Sequence, residues 1–402
     1  MALTNTQSRY GGITKTFHWL TALLLLTLIA LGLFAHDLPH GTDAELTRKA
    51  WYFSLHKTLG VLAFFVAVSR ILWAISQPSP GLLNADKKLE SFLAELVHGL
   101  LYGAMVIVPL SGWIGHAAAS GFAPIWWPFG QNLPLVPKST DVEHVFGAIH
   151  EIAGKVLIGS ILLHFAGAMK HHLIDRDSTL RRMLPGEAAI GPLPDQTHSR
   201  MPIITAVVIW LVALGGATTA ARLAEDPAPQ ARELAAVTSD WQVQNGSIEI
   251  IVTQFGSEVT GRFADWTAAI TFDDTLHQGV VGDVTATISI PSLTLGSVTQ
   301  QAMGADFFAA DTYPTAQFTG DIQHGVDGFE AVGTLTIKDH AVPLTLPFQL
   351  AVQGDAAEMR ADMTLDRRTF GIGDNMPNED SLAFAVDLNI RLTAARADTT
   401  PE

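Results

Sequence analysis

The chain has 402 residues, of which 48% are hydrophobic and 16% are charged, and its formal net charge is −15. Residues 1–222 hold 16 Lys and Arg against 13 Asp and Glu, a net of +3, whereas residues 223–402 hold 8 against 26, a net of −18. The acidic half is therefore excluded as a nucleic-acid binder, because phosphate binding needs clustered Lys and Arg. With no Cys, the chain cannot form disulfides, thiolate-ligated iron–sulfur clusters or covalent c-type haem, and its 15 His are the natural metal ligands.

Five apolar stretches occupy the first half, and each approaches the ~20 residues that cross a hydrocarbon core of ~30 Å. Few acidic residues interrupt them, which argues against the alternative of buried helices in a water-soluble bundle. The pattern predicts a multidomain membrane protein whose first half is all-α, with five transmembrane helices. The stretches run from about Ile13 to Ala35, Phe53 to Ile75, Phe92 to Ala117, Val145 to Leu173 and Pro202 to Ala221.

Basic residues are concentrated in the loops of one side. The N-terminal segment carries Arg9 and Lys15, Lys87 and Lys88 follow the second span, and four Arg follow the fourth. The positive-inside rule then places the N-terminus in the cytoplasm and, after five crossings, the residues beyond Arg222 outside. The first span is predicted to be a retained anchor, because no short apolar region with a cleavage site precedes it.

Four histidines lie within the spans at matching depths. His18 is near the cytoplasmic end of the first span, and His56 is near the outer end of the second. His150 and His164, on the fourth, are fourteen residues apart, which at ~100° and ~1.5 Å per residue gives nearly one face and an axial separation of about 21 Å. We therefore expect His56 to meet His150 at the outer level, and His18 to meet His164 at the inner level.

Two imidazole pairs stacked across a bilayer are typical of two b-type haems held within a helix bundle. Zinc fits less well, because two His at each level leave its four-ligand shell incomplete. The remaining alternative is that each His only hydrogen-bonds a neighbouring helix. The matching depths of all four favour haem ligation.

The segments around these four histidines resemble bacterial di-haem cytochrome b561. They read FHWLTALLL, LHKTLGVLAFFVAVSRILW and HEIAGKVLIGSILLHFAGAMKHHLIDRDSTLRRMLP. The resemblance covers roughly residues 8–186 and includes a D-x-T/S-L-x-R-M-x-P pattern from Asp177 to Pro185. It implies a four-helix bundle in the bacterial inner membrane that passes electrons between its haems and a quinone, and some family members oxidise superoxide at the outer face.

Further polar residues lie near the predicted haem levels. His98, in the inner third of the third span, can line a quinone site, replace a haem ligand or bond a neighbouring carbonyl. Arg70, near the inner level, can pair with a haem propionate or extend to the interface. Lys57 can pair with the outer propionates or attract an anionic oxidant such as superoxide. His116, near an outer loop, is expected at the surface.

From Trp241 onward, short segments with alternating apolar residues are separated by Gly, Asp and Pro turns. This pattern predicts an all-β antiparallel barrel or sandwich, and an eight-stranded barrel can hold one elongated apolar ligand. No catalytic constellation is apparent, and the three His of this half lack metal-ligand spacing. The predicted strands are 248–253, 268–272, 284–290, 315–322, 331–337, 344–352, 358–365 and 382–393.

Four motifs of this half resemble the YceI family of lipid-binding, lipocalin-like barrels. They are VTGRFADW, ADFFAADTYPTAQF, GTLTIKDHAVPLTLPF and LDRRTFGIG, and the resemblance covers roughly 239–396. It implies a barrel whose apolar lumen holds an isoprenoid quinone or another polyprenyl lipid. The first strand, SIEIIVTQFG, does not contain the His that is common there in the family, so no pocket residue is predicted.

The predicted order is a di-haem cytochrome domain at 1–186, a loop and fifth transmembrane helix at 187–223, a linker at 224–238 and a periplasmic barrel at 239–396. The expected function is electron exchange with a quinone that the barrel stores or presents. Membrane lipid, quinone and a redox partner protein are the expected partners. Two alternatives remain open: a passive electron relay for a partner dehydrogenase, and a lipid-binding protein that its haem domain anchors.

Overall fold

A computed structural model of the chain describes residues 2–119, 121, 123–186, 193–196, 199–223, 234–235, 237, 239–296, 298–325 and 328–397. These residues form two compact units, one helical and one a β-barrel, and each is described by itself. Most of the linker predicted at 224–238 lies outside the described residues.

Five long helices make up the helical unit: α1 (Gly12–Asp37), α2 (Asp43–Ile75), α3 (Lys88–Ala118), α4 (Thr140–Lys170) and α5 (Met201–Leu223). A π-helical turn, His171–Asp175, extends α4, so that this helical stretch is 36 residues long. All five are long and apolar enough to cross a bilayer, as the sequence predicts. Their outward faces carry large apolar side chains, such as Leu23, Leu163 and Leu211, which are 61–66% exposed in the absence of lipid.

Small residues determine how closely these helices pack. The backbones of α3, α4 and α5 approach one another closely. Trp210 of α5 lies against Gly103 of α3, where even a methyl group would collide with the indole, and Ala206 packs against Gly99 one turn earlier. Small residues permit such close approach between helices in membranes. The backbones of α1 and α2 do not approach α4 so closely.

Ten strands form the barrel unit, and a short helix, α6 (Thr299–Met303), lies between the fifth and sixth. Eight of them close an antiparallel ring in the order β1-β3-β4-β6-β7-β8-β9-β10, because β10 pairs along almost all of β1. β2 pairs with the second half of β1, and β5 pairs with β2. The strands are β1 (Trp241–Gln254), β2 (Ser257–Phe263), β3 (Trp266–Phe272), β4 (Val280–Ser289), β5 (Leu293–Thr294), β6 (Thr315–Gly325), β7 (Gly328–Ile337), β8 (His340–Gln353), β9 (Ala356–Asp366) and β10 (Leu382–Arg396).

The eight strands of the ring are the eight predicted from the sequence, so the antiparallel barrel is confirmed. Alternation determines which side chains face inward: in β6, Ala316, Phe318 and Ile322 are buried while their neighbours in the strand are more exposed. Trp241, which is 2% exposed, donates its indole N–H to the carbonyl of Phe272. Large apolar side chains of opposite strands therefore meet in the lumen.

Candidate functional site

Two histidines meet near one end of the helical unit. The ring centroids of His56 on α2 and His150 on α4 are 6.3 Å apart, with an interplanar angle of 86°. Nδ1 of His56 lies 3.0 Å from the carbonyl oxygen of Leu28, and Nδ1 of His150 lies 2.8 Å from that of Val108. A carbonyl only accepts, so both Nδ1 atoms carry the proton, and each ring has Nε2 left as a potential metal ligand.

A second group of histidines lies at the other end of α4. The centroids of His18 on α1 and His164 are 6.1 Å apart at 53°. His98 on α3 is also close, with its centroid 5.0 Å from that of His164. Its Nδ1 donates to the carbonyl of Ala94 in its own helix at 2.6 Å. Three imidazoles therefore meet at this level, and the predicted pair of His18 and His164 is among them.

The residues at both levels fit haem iron. An imidazole nitrogen binds a metal at about 2 Å and lies about 1 Å from its ring centre, so two axial imidazoles on one metal have centroids about 6 Å apart. The two pairs match this separation, at 6.1 and 6.3 Å. The backbones of α1 and α2 also lie farther from α4 than those of α3 and α5 do, and a group held between these imidazoles would need that separation. These four His would hold the group, and neutral nitrogen donors in apolar surroundings suit b-type haem.

Cationic side chains accompany each level. The Arg70 guanidinium lies 5.6 Å from the ring centre of Tyr102, and its Nη1 lies 3.8 Å from Sδ of Met105. It is close enough to His18 and His164 to interact with them electrostatically. Arg70 therefore lies near the inner pair, and its pairing with a haem propionate stays a prediction.

Lys57 follows His56 in the chain and contacts His116, a residue whose predicted location is wrong. Its Nζ donates to Nδ1 of His116 at 3.1 Å. His116 is only 9% exposed, so its expected surface location is wrong. It lies in the last turn of α3, between the buried residues Gly115 and Ala117. The run of small apolar residues directly after His116 could have indicated its burial, because such a run continues a buried helix past this histidine.

A cavity of about 280 Å³ occupies the barrel, and its lining is almost entirely apolar. The few polar side chains in the lining include Gln254, Gln301 and Arg367. The histidines of this unit are not among the lining residues: His324 stacks on Phe329, and His340 pairs with Asp339. The cavity can therefore enclose an elongated apolar molecule, and it offers little to a charged one.

Arg367 is the cation in this lining, and it is 3% exposed. All five of its N–H groups donate to backbone carbonyls: Nε to Ala383 at 3.0 Å, Nη1 to Ile372 at 2.8 Å and Gly373 at 2.7 Å, and Nη2 to Met376 at 2.6 Å and Leu382 at 3.2 Å. Burial lowers the pKa of the guanidinium below its ordinary value. With every donor engaged, this side chain ties the segment before β10 to the barrel and has no N–H left for a ligand.

Comparison with known proteins identifies the family of the helical unit. The family model described as prokaryotic cytochrome b561 matches residues 9–186. Cytochrome b561 homolog 2 of Escherichia coli is 32% identical over 188 residues, which are 46% of this chain and 95% of that protein. The chain belongs to the prokaryotic cytochrome b561 family. The probable superoxide oxidase CybB of Yersinia pestis is 25% identical over 178 residues, 44% of this chain and 96% of that protein.

The model of the YceI-like domain matches residues 241–394, so the second half is a YceI-like domain and the predicted fusion is confirmed. Among solved structures, the chain is similar to BcnA of Burkholderia cenocepacia, with 26% identity and a TM-score of 0.35, over 37% of this chain and 96% of that one. It is also similar to a polyisoprenoid-binding domain from Saccharophagus degradans, with 12% identity and a TM-score of 0.32, over 40% of this chain and all of that one.

Membership in the cytochrome b561 family makes this a multi-pass membrane protein that binds b-type haem and takes part in electron transport. The family model covers α1 to α4 and the segment that follows them, and it ends before α5. Helix α5 is therefore an addition to the family's bundle, packed against α3 and α4 by the contacts of Trp210.

The D-x-T-L motif of the cytochrome b561 domain closes the end of α4. Asp177 accepts hydrogen bonds from Thr179 N–H at 2.8 Å and from His171 at 2.7 Å. Burial raises the pKa of its carboxyl, but these hydrogen bonds outweigh the effect and hold that pKa below its usual range. Glu90, His171 and Asp175 lie close enough together for a metal, but the Lys170 ammonium already bonds Glu90 at 2.6 Å and Asp175 at 2.8 Å, so the group is an ion-pair network.

Proposed function

We propose that this cytochrome b561 holds two b-type haems, one on His56 and His150 and the other on His18 and His164, and exchanges electrons with a quinone. The observation that carries the proposal is that α4 presents an imidazole to a partner at two levels, with ring separations of 6.3 and 6.1 Å. Haem supplies one-electron exchange between ferric and ferrous iron, and these residues hold and orient it.

The side chains around the two pairs receive distinct roles in this proposal. Arg70 provides a guanidinium beside the inner pair, where it would bind a haem propionate through its forked N–H groups. Lys57, next to His56, would serve the outer propionates. His98 lies 5.0 Å from His164 and would line the quinone site at the inner level. Its Nδ1 is engaged by the carbonyl of Ala94, so Nε2 is the atom available to a quinone oxygen.

The bacterial inner membrane is the proposed location, with the N-terminus in the cytoplasm and the barrel in the periplasm. The excess of Lys and Arg in the N-terminal segment and in the loops after α2 and α4 supports this orientation. Among the residues that the structure describes, five helices, an odd number, then separate the N-terminus from the barrel in the chain. The acidic charge of residues 223–402 would therefore lie outside the cytoplasm, where the positive-inside rule sets no limit on acidic residues.

The barrel is proposed to bind an isoprenoid lipid with an uncharged head group, such as a quinone. Its lining is apolar, and the N–H groups of Arg367 are all engaged by carbonyls. A diphosphate placed in such a lining would lose its hydration without gaining charge-assisted hydrogen bonds. Gln301 on α6 offers an amide, which can bond a quinone oxygen without adding charge. The barrel would thus store or present the quinone that the cytochrome reduces or oxidises.

Purification of the full chain tests the proposal. We expect two haems per chain, and reduced-minus-oxidised spectra that respond to quinone, with superoxide as a second substrate to be tried. Two haems that turn over neither quinone nor superoxide would instead favour a passive relay for a partner dehydrogenase. A protein without haem would leave only a membrane-anchored lipid binder.

Extraction of the co-purified lipid tests the barrel separately. We expect an uncharged isoprenoid, and Gln301→Leu should lower the quinone fraction relative to polyprenol. The complete lack of isoprenoid lipid, or a preference for a polyprenyl diphosphate, would contradict the proposed ligand while leaving the haem assignment intact.

A further inference from the structure

The proposed outer ligand on α2, His56, packs against a glycine of α1, Gly32. A Cβ added to Gly32 would lie 2.9 Å from Cε1 of His56, closer than real Cβ atoms approach other atoms. The carbonyl that accepts the Nδ1–H of His56 belongs to Leu28, four residues before this glycine. The absence of a side chain at Gly32 therefore lets the ring approach α1 closely enough to reach the carbonyl one turn earlier.

The proposed outer ligand on α4, His150, packs in the same way against a glycine of α3, Gly112. A Cβ added to Gly112 would lie 2.9 Å from Nδ1 of His150. The carbonyl that accepts this Nδ1–H belongs to Val108, again four residues before the glycine, and it also accepts the hydroxyl of Ser111 at 3.0 Å. Two different helix pairs thus use the same contact to orient the two outer imidazoles.

The inner pair is held differently. Within the described parts of the helical unit, neither His18 nor His164 donates Nδ1–H to a carbonyl, and their ring contacts are with aromatic neighbours and with each other. A hydrogen bond from Nδ1–H to a carbonyl increases the electron donation of Nε2 to the metal. Stronger donation favours ferric over ferrous iron, so it lowers the reduction potential.

We propose that Gly32 and Gly112 are positioning residues that keep the outer haem at a lower reduction potential than the inner haem. An electron that arrives at the outer level then moves to the inner level. The transfer oxidises the outer iron by one electron and reduces the inner iron by one, and it needs no other reactant. The inference rests on the two-haem function proposed above, and it adds the direction of electron flow.

Redox titration of the purified full-length holoprotein, followed by its visible spectrum, tests the inference. We expect two midpoint potentials, and the one retained by His18→Ala and His164→Ala should be the lower of the two. Gly32→Ala and Gly112→Ala should each raise the lower midpoint potential by about 59 mV, which corresponds to a tenfold change in the equilibrium constant of a one-electron couple. Gly159→Ala is the matched control, because a methyl group there meets no atom within 4 Å and the residue faces away from both α4 ligands.

Each result decides a different part of the argument. Fewer than two haems in the wild type would overturn the proposed function together with this inference. Two haems, with the higher potential retained in the single-haem variants, would overturn only the order of potentials. An unchanged lower potential in both glycine variants, or loss of the outer haem from both without any shift in Gly159→Ala, would show that the glycines have a steric role alone.

Discussion

His150 and His164 lie on one helix, and each faces a histidine of a different helix at nearly the same ring separation, 6.3 Å and 6.1 Å. Helix α4 is thus common to both levels, whereas α2 contributes only to the outer pair and α1 only to the inner pair. Because fourteen residues are close to four helical turns, a single face of α4 serves both partners. The two levels can therefore be disrupted independently on the same helix.

His150→Ala should remove the outer haem and His164→Ala the inner one, because each substitution removes one of the two imidazoles that would hold that haem. Haem content per chain, measured after purification in detergent, should fall from two to one in either variant. His172→Ala is the control, since this residue follows α4 in the π-helical turn and should leave two haems in place. Two haems in both ligand variants would contradict the pairing. If His164→Ala keeps two haems while His150→Ala loses one, His98 is the replacement ligand at the inner level. The double variant His164→Ala with His98→Gln should then lose the inner haem.

Much of this site could be predicted from the sequence, because the depth of a residue in its span and its spacing along a helix can both be counted along the chain. The positions of His56, His150 and the inner pair could be matched from the start of each span and a rise per residue. The carbonyls of Leu28 and Val108 could not be identified in that way, because they depend on which helix faces match. His116 was misplaced for the same reason: its burial comes from packing around the end of α3.

The barrel shows the same division between local pattern and tertiary packing. Alternation revealed all eight strands that close the ring, because each has one face in the lumen. The alternation did not reveal β2, which contains Gly261 and Arg262, or the two-residue β5. Neither strand belongs to the closed ring: β2 pairs with β1, and β5 pairs with β2. The role of Arg367 was also hidden, since nothing in LDRRTFGIG distinguishes it from its exposed neighbour Arg368.

Arg367→Met should destabilise the barrel strongly, because it leaves five carbonyls without their donor in a buried place. The loss of the five hydrogen bonds should cost about 3 kcal/mol or more in the free energy of unfolding. Arg368→Met is the matched control: this neighbour is 54% exposed, pairs with Asp366 and should change stability by about 1 kcal/mol or less. Pulse proteolysis of the full-length protein in increasing denaturant measures both variants. Equal midpoints for the two would refute the structural role of Arg367.

Gly103→Val should displace α5 without removing haem. The added side chain would occupy the place of the Trp210 indole, and overpacking of this kind costs about 1–3 kcal/mol. We expect a lower thermal midpoint of the detergent-solubilised protein with two haems still bound, because the family's bundle ends before α5. Gly159→Val is the control, since a methyl group there meets no atom within 4 Å and the residue faces away from both histidines of α4. Loss of haem from Gly103→Val alone would mean that α5 supports the cofactors directly.

Acid should loosen the segment that closes α4. The pKa of Asp177 is held below its ordinary value of 3.8, so its contribution to stability is present above that pH and is lost as the pH falls below it. Asp177→Asn should therefore lower stability at neutral pH and reduce the pH dependence below pH 4. Thermal midpoints measured between pH 3 and pH 7 test this expectation. Parallel curves for the wild type and Asp177→Asn would show that this carboxyl does not couple folding to protonation.

Membrane orientation can be read with single cysteines, because the chain contains none. In intact spheroplasts, Asp362→Cys on β9, whose side chain is 64% exposed, should react with a membrane-impermeant maleimide. Gln7→Cys, ahead of α1, should react only after the membrane is opened, because the basic residues of that side are retained in the cytoplasm. Wild-type protein gives the background, and full labelling of both variants in detergent shows that each thiol is reactive. Labelling of both in intact cells would contradict an odd number of crossings, and the reverse pattern would place the barrel in the cytoplasm and the outer histidine pair at the cytoplasmic level.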